Sequence, residues 1–67
     1  MKKENQKPLI KLKLKRIEKG FTQEQLAKKV GVFFMTIYYY ECGKRKPNSD
    51  MLKKLSEALE CKVDDII

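Results

Sequence analysis

The sequence predicts an all-α domain, a compact bundle of four to five short helices. Three features carry that expectation. Apolar residues recur at spacings of three and four, the period of a helix with one buried face, along most of the chain. Capping residues and glycines divide the pattern into short segments. The chain has 67 residues, enough for one modest core and no second domain.

Residues 1–8 are polar, hold Lys2, Lys3 and Lys7, and end at Pro8, so a flexible basic arm is expected there. Over residues 9–19 the run Leu12-Lys13-Leu14-Lys15 alternates as a strand would. However, Ile10, Leu14 and Ile17 are spaced by four and three, Leu9 and Leu12 by three, and leucine and lysine favour helix. This is the first helix, closed by Gly20. Its apolar arc is wider than one buried face requires, which leaves part of it for a partner.

Thr22-Gln23-Glu24-Gln25 is a capping box: the Thr22 hydroxyl accepts from the Gln25 amide, and the Gln25 side chain reaches back to Thr22. Leu26, Ala27 and Val30 give the second helix its apolar face, and Gly31 ends it. A third helix begins at Phe33 or Phe34 and runs to Gly43, so two short helices joined by a tight glycine turn form a helix-turn-helix unit. After the basic loop Lys44-Arg45-Lys46-Pro47, Asn48 or Ser49 caps a fourth helix with Leu52, Leu55 and Leu59 as its buried stripe. Cys61-Lys62-Val63 reads as a turn, and Asp64-Asp65-Ile66-Ile67 as the acidic first turn of a truncated fifth helix.

Lysine and arginine number 16 against 9 acidic residues, a formal charge of +7. That balance suits a polyanion, either nucleic acid or an acidic membrane surface, and it also suits a merely solvated surface. Two cysteines, Cys42 and Cys61, with no histidine, do not make a four-ligand zinc site; read as reduced thiols, they point to the cytoplasm. No apolar run reaches membrane-spanning length, and residues 1–8 lack the apolar stretch of a signal peptide. There is no phosphate-binding glycine loop and no acid–base pair, Asp64 and Asp65 being accounted for as a helix start. An enzyme, a metal or other cofactor, and a small-molecule ligand are therefore not expected.

The stretch Gly20-Phe21-Thr22-Gln23-Glu24-Gln25-Leu26-Ala27-Lys28-Lys29-Val30-Gly31-Val32, with Thr36-Ile37, Glu41, Gly43-Lys44, Pro47 and the leucines at 52, 55 and 59, resembles the Cro/C1-type helix-turn-helix family of phage repressors and bacterial regulators. The resemblance implies a lambda-repressor-like DNA-binding domain over residues 9–67. Its third helix would enter the major groove, usually as a dimer on a palindromic operator. It further implies a sequence-specific regulator of transcription, here read as a repressor. Arg16 and Glu41 fall where lambdoid relatives carry a partly buried ion pair joining the first and third helices. Their expected role is structural, and stranding one partner costs about 3–5 kcal/mol.

In the family frame, phosphate contacts are expected from Thr22 and Gln23, at a helix N-terminus that favours anions, and from Lys44, Arg45 and Lys46. The arm over residues 1–8 is then either a solvated tail, the plainer reading, or a basic arm lying along DNA. Base contacts fall to Phe34, Met35, Thr36, Tyr38 and Tyr39, where the family usually carries Ser, Thr, Gln, Arg or Asn; Val32, Ile37 and Tyr40 read as core. The bidentate donors that discriminate bases are absent.

Three explanations stand open for that face. Apolar side chains can read thymine methyls and tyrosine hydroxyls a base edge or phosphate, on an A·T-rich operator. The face, natural or engineered, can instead bind protein, making the chain an antitoxin-like interaction module. Or Phe33 and Phe34 tuck toward the core. Phe33 also replaces the usual polar cap, at a cost of about 1 kcal/mol. Finally, Val63, Ile66 and Ile67 lie where the family's fifth helix pairs subunits and are the expected seam of a weak, symmetric homodimer.

Overall fold

The computed structural model describes residues 7–67; the arm expected over residues 1–8 lies outside the described residues except for Lys7 and Pro8, both exposed. Four α-helices follow in order, α1 (Ile10–Glu18), α2 (Gln23–Val30), α3 (Phe34–Cys42) and α4 (Ser49–Ala58), with a 3-10 turn at Val63–Asp65. No strand occurs among the described residues.

Local chemistry sets the starts of α2 and α4 but not that of α1. Thr22 caps α2 as a full capping box: its hydroxyl accepts from the Gln25 amide at 3.0 Å, and its own amide donates to Gln25 Oε1 at 2.9 Å. Asn48 caps α4 by accepting from the Met51 amide at 2.8 Å. α1 has no side-chain cap; instead the Leu9 amide donates to the Tyr40 carbonyl at 3.2 Å, so a tertiary bond replaces the local one.

Three helices close with the same pair of bonds. After α2, Val32 donates to the Ala27 carbonyl and Gly31 to that of Lys28, the Schellman arrangement, which needs a left-handed residue; Gly31 supplies it at φ +80°. α1 ends likewise through Gly20 and Phe21. α4 ends the same way, Cys61 donating to Ser56 and Glu60 to Glu57, but its left-handed residue is Glu60 at φ +56°. A side chain is strained there, since a Cβ crowds the following carbonyl.

The core joins all four helices and the turn. Leu12, Leu26, Ala27, Val30, Ile37, Tyr40, Leu55, Leu59 and Ile66 are buried, with Leu9, Phe21, Val32, Met51 and Leu52 packed around them. α2 packs chiefly on α3, the helix-turn-helix pair, and α4 and the 3-10 turn close the other side. α1 turns Leu12 and Arg16 inward and leaves Ile10, Leu14 and Ile17 more than half exposed as a stripe on its outer face. The wide apolar arc of this helix is therefore split between the core and solvent.

The expected fifth helix is corrected to the single 3-10 turn. Asp65 donates to the Lys62 carbonyl at 2.9 Å and Ile66 to that of Val63 at 3.0 Å, and the Asp65 carboxylate accepts from the Lys62 amide. This tight turn swings Ile66 fully into the core. Ile66 is consequently removed from the expected dimer seam, because a side chain with no exposed surface has none to offer a second subunit; Val63 is half-buried and Ile67 exposed.

Candidate nucleic-acid interface

α3 is the element to build from, because its two sides are chemically opposite. Ile37, Tyr40 and Glu41 point inward and are buried. Phe34 and Tyr38, four residues apart and so on one face, are exposed; Met35, Thr36 and Tyr39 flank them half-buried. Phe33, at the cap position, is 68% exposed, more than any other large apolar side chain among the described residues. The possibility that Phe33 and Phe34 tuck toward the core is thus corrected. With α3 docked through Ile37 and Tyr40, the preceding extended residue projects outward. The Phe33 and Phe34 rings lie 5.0 Å apart, and those of Tyr38 and Tyr39 5.8 Å.

Arg16 and Glu41 form a two-pronged ion pair, Arg16 Nε donating to Glu41 Oε2 at 2.6 Å and Nη2 to Oε1 at 3.1 Å. Arg16 also donates through Nη1 to the Phe21 carbonyl at 2.8 Å, which ties down the turn between α1 and α2. Both residues are buried, so the pair binds α1 to α3 from inside rather than facing a ligand.

Gln23 joins this network, its Nε2 donating to Glu41 Oε1 at 3.0 Å. The contact spans 18 residues and has no local signature, so pattern reading places Gln23 only at a helix start. It brings the N-terminus of α2 beside the C-terminal half of α3, next to the loop of Lys44, Arg45 and Lys46. One N–H of the Gln23 amide remains for another acceptor. The Thr22 hydroxyl, which accepts within the cap, keeps its proton to donate, and the first-turn amides of α2 have no acceptor inside the helix.

Lys44, Arg45 and Lys46 are all exposed, and none has an acidic partner among the described residues, whereas Lys15 and Lys19 pair with Glu18 and Glu60. The backbone here is well anchored: the amides of Gly43, Lys44 and Arg45 all donate to the Tyr39 carbonyl. A rigid turn thus carries three unneutralised cations directly after α3.

The rest of the surface offers little for chemistry. Among the described residues, no three potential metal ligands cluster, and both cysteines are free thiols. Burial, with the Asp65 carboxylate adding to it, pushes the Cys61 thiol above its ordinary pKa, the opposite of a reactive thiolate. An open groove of about 450 Å³, lined by Leu9, Pro47, Leu52 and Ile67 with Lys7 and Lys46, runs past the C-terminal residue.

A short second helix capped by Thr22, a glycine turn and a third helix with an exposed outer face beside a cationic loop define a helix-turn-helix protein. The sequence model of the helix-turn-helix family matches residues 12–66, and this chain belongs to that family, in its Cro/C1-type branch. It is 41% identical over 56 residues to an uncharacterized HTH-type transcriptional regulator of Methanocaldococcus jannaschii, covering 84% of this chain and 85% of the relative. Among solved structures it is similar to the P22 c2 repressor in complex with a synthetic operator, with a TM-score of 0.82 at 29% identity over 91% of this chain and 94% of the other. It is also similar to the restriction-modification controller protein C.AhdI of Aeromonas hydrophila, with a TM-score of 0.81 at 28% identity over 87% and 88% of the two chains. The fold is the lambda-repressor-like one, its four α-helices within the four to five expected.

Proposed function

We propose that this protein is a sequence-specific double-stranded DNA-binding regulator of transcription, a cytoplasmic repressor that acts as a symmetric homodimer with α3 in the major groove. It takes no cofactor in this reading and performs no catalysis. The observation that carries the proposal is the Gln23–Glu41 contact, which sets the α2 N-terminus against the C-terminal half of α3, the helix whose outer face is exposed and which runs on into the cationic Lys44–Arg45–Lys46 loop. Thr22 and Gln23 then hold one phosphate through the hydroxyl, the amide and the helix dipole. The three cations hold the backbone further along. Phe34, Met35, Thr36, Tyr38 and Tyr39 face the base edges. The P22 c2 repressor, similar over almost its whole solved chain, was crystallised with an operator, which supports the same docking. No helix among the described residues is long and apolar enough to cross a membrane, in keeping with a protein that meets DNA in the cytoplasm.

The dimer seam is assigned to Ile67 and the half-buried Val63, with the apolar groove of Leu9, Pro47 and Leu52 beside them. Apolar surface at a two-fold axis is self-complementary, which is what a symmetric pair requires.

The test is fluorescence anisotropy of labelled duplex DNA against salt. With three cations per subunit on phosphates, a dimer releases about six counterions, and log K should fall with log salt at a slope near −5. Lys46→Ala should flatten that slope by about 0.9 for each copy bound. Duplex binding that is absent at low salt, or indifferent to salt, would overturn the proposal.

A further inference from the structure

The composition of one helix face limits what that face can read, and the following step rests on the DNA-binding reading above. From Phe33 to Cys42 there is no arginine, lysine, asparagine or glutamine. The single charged residue of α3, Glu41, points inward and is bound to Arg16 and Gln23. What faces outward is Phe33, Phe34 and Tyr38, at 68%, 36% and 43% exposure, and the Cys42 thiol at the C-terminal end, with the half-buried Met35, Thr36 and Tyr39 at their flanks.

In the major groove every base offers hydrogen-bonding groups, but only thymine offers an apolar one, its C5 methyl. A phenyl ring laid against guanine O6 and N7, or against the cytosine amine, removes water from groups it cannot pair with, which is unfavourable. The same ring against a thymine methyl buries apolar surface on both partners. The sign therefore favours thymine wherever a phenylalanine ring reaches a base edge. Phe33 and Phe34, 5.0 Å apart and tilted by 55°, make one continuous apolar surface at the N-terminal end of α3, the end that meets base edges in helix-turn-helix docking. Tyr38 lies one turn further along the same side.

We infer that Phe33 and Phe34 are the specificity-determining residues of this protein, and that its operator half-site carries neighbouring thymines recognised through their methyl groups. An exposed aromatic face also suits a protein partner. DNA is favoured because the face carries no negative charge and is followed directly by three cations with no acidic partner among the described residues.

The test begins with selection of bound duplexes from a random pool. In the selected duplex, thymines are then replaced one at a time by deoxyuridine, which removes the methyl and leaves the hydrogen-bonding edge intact. Affinity should fall about fourfold at each of the neighbouring thymines, the equivalent of one buried methyl, and stay unchanged elsewhere. In Phe34→Ala, and in Phe33→Asn, which restores a polar cap and so keeps the helix, the loss at the matching thymine should disappear. If deoxyuridine binds as well as thymine at every position while binding stays selective and salt-dependent, the methyl readout is refuted and the DNA-binding reading stands. If no duplex is bound at low salt and association between copies is lost in Phe33→Asn, the face is a protein interface and both fall.

Discussion

Removing the Arg16 side chain while leaving Glu41 in place is the perturbation that most directly probes how this bundle is held. In Arg16→Met the Glu41 carboxylate, whose side chain is 4% exposed, keeps only the Gln23 amide, having lost contacts at 2.6 and 3.1 Å. The Phe21 carbonyl loses its donor as well. Stranding a buried charge costs about 3–5 kcal/mol. At roughly 0.05–0.15 kcal/mol per residue, this 67-residue chain has only about 3–10 kcal/mol in total, so the variant should be close to unfolded. For a domain of this size the melting temperature should drop by at least about 12 °C. The double variant Arg16→Met with Glu41→Leu removes both charges and replaces them with apolar volume, so it should be more stable than Arg16→Met alone. The coupling between the two sites should be about 2 kcal/mol or more. Urea denaturation followed by circular dichroism, on the two single variants and the double, measures all three terms. A midpoint for Arg16→Met equal to that of the parent chain would refute the structural role. A double variant whose loss equals the sum of the singles would show that the residues do not act as a pair.

Two further outcomes test the helix orientation and the strained turn. Leu12 has no exposed surface and Leu14 is 59% exposed, so Leu12→Ala should cost about 2–5 kcal/mol and Leu14→Ala no more than about 0.5; comparable urea midpoints for the two would mean that α1 is rotated from the orientation described. Glu60 holds φ +56° at the end of α4, and its ion pair with Lys19 is long at 3.8 Å and exposed. Glu60→Gly should relieve about 1–2 kcal/mol of left-handed strain against about 0.5–1 of added chain entropy, raising the melting temperature by a few degrees; a lower melting temperature would remove strain from the account of that turn.

Much of the local structure was legible in the residues, because its causes lie within a few positions of one another. The capping box at Thr22 and Gln25, the glycines after α1, α2 and α3, and the basic loop at 44–46 are all short-range devices. For the cap of α4 the residues leave two neighbours, Asn48 and Ser49, and the structure selects Asn48. Arg16 and Glu41 acquire meaning only through the family resemblance, since nothing near either one marks it as half of a pair.

The linear chain determined the helical class, the limits of the locally capped helices, the cationic loop and the absence of bidentate base-reading donors from α3, since period, caps and composition belong to single segments. Tertiary structure alone decided which way each side chain faces where a helix has more apolar residues than one contact can bury. It sent Leu12 inward and Ile10, Leu14 and Ile17 outward, projected Phe33 into solvent, and drew Ile66 out of the expected seam into the core. It also placed Gln23 on Glu41. Such choices are made by packing against residues far away in the chain, and that information is not contained in any local window.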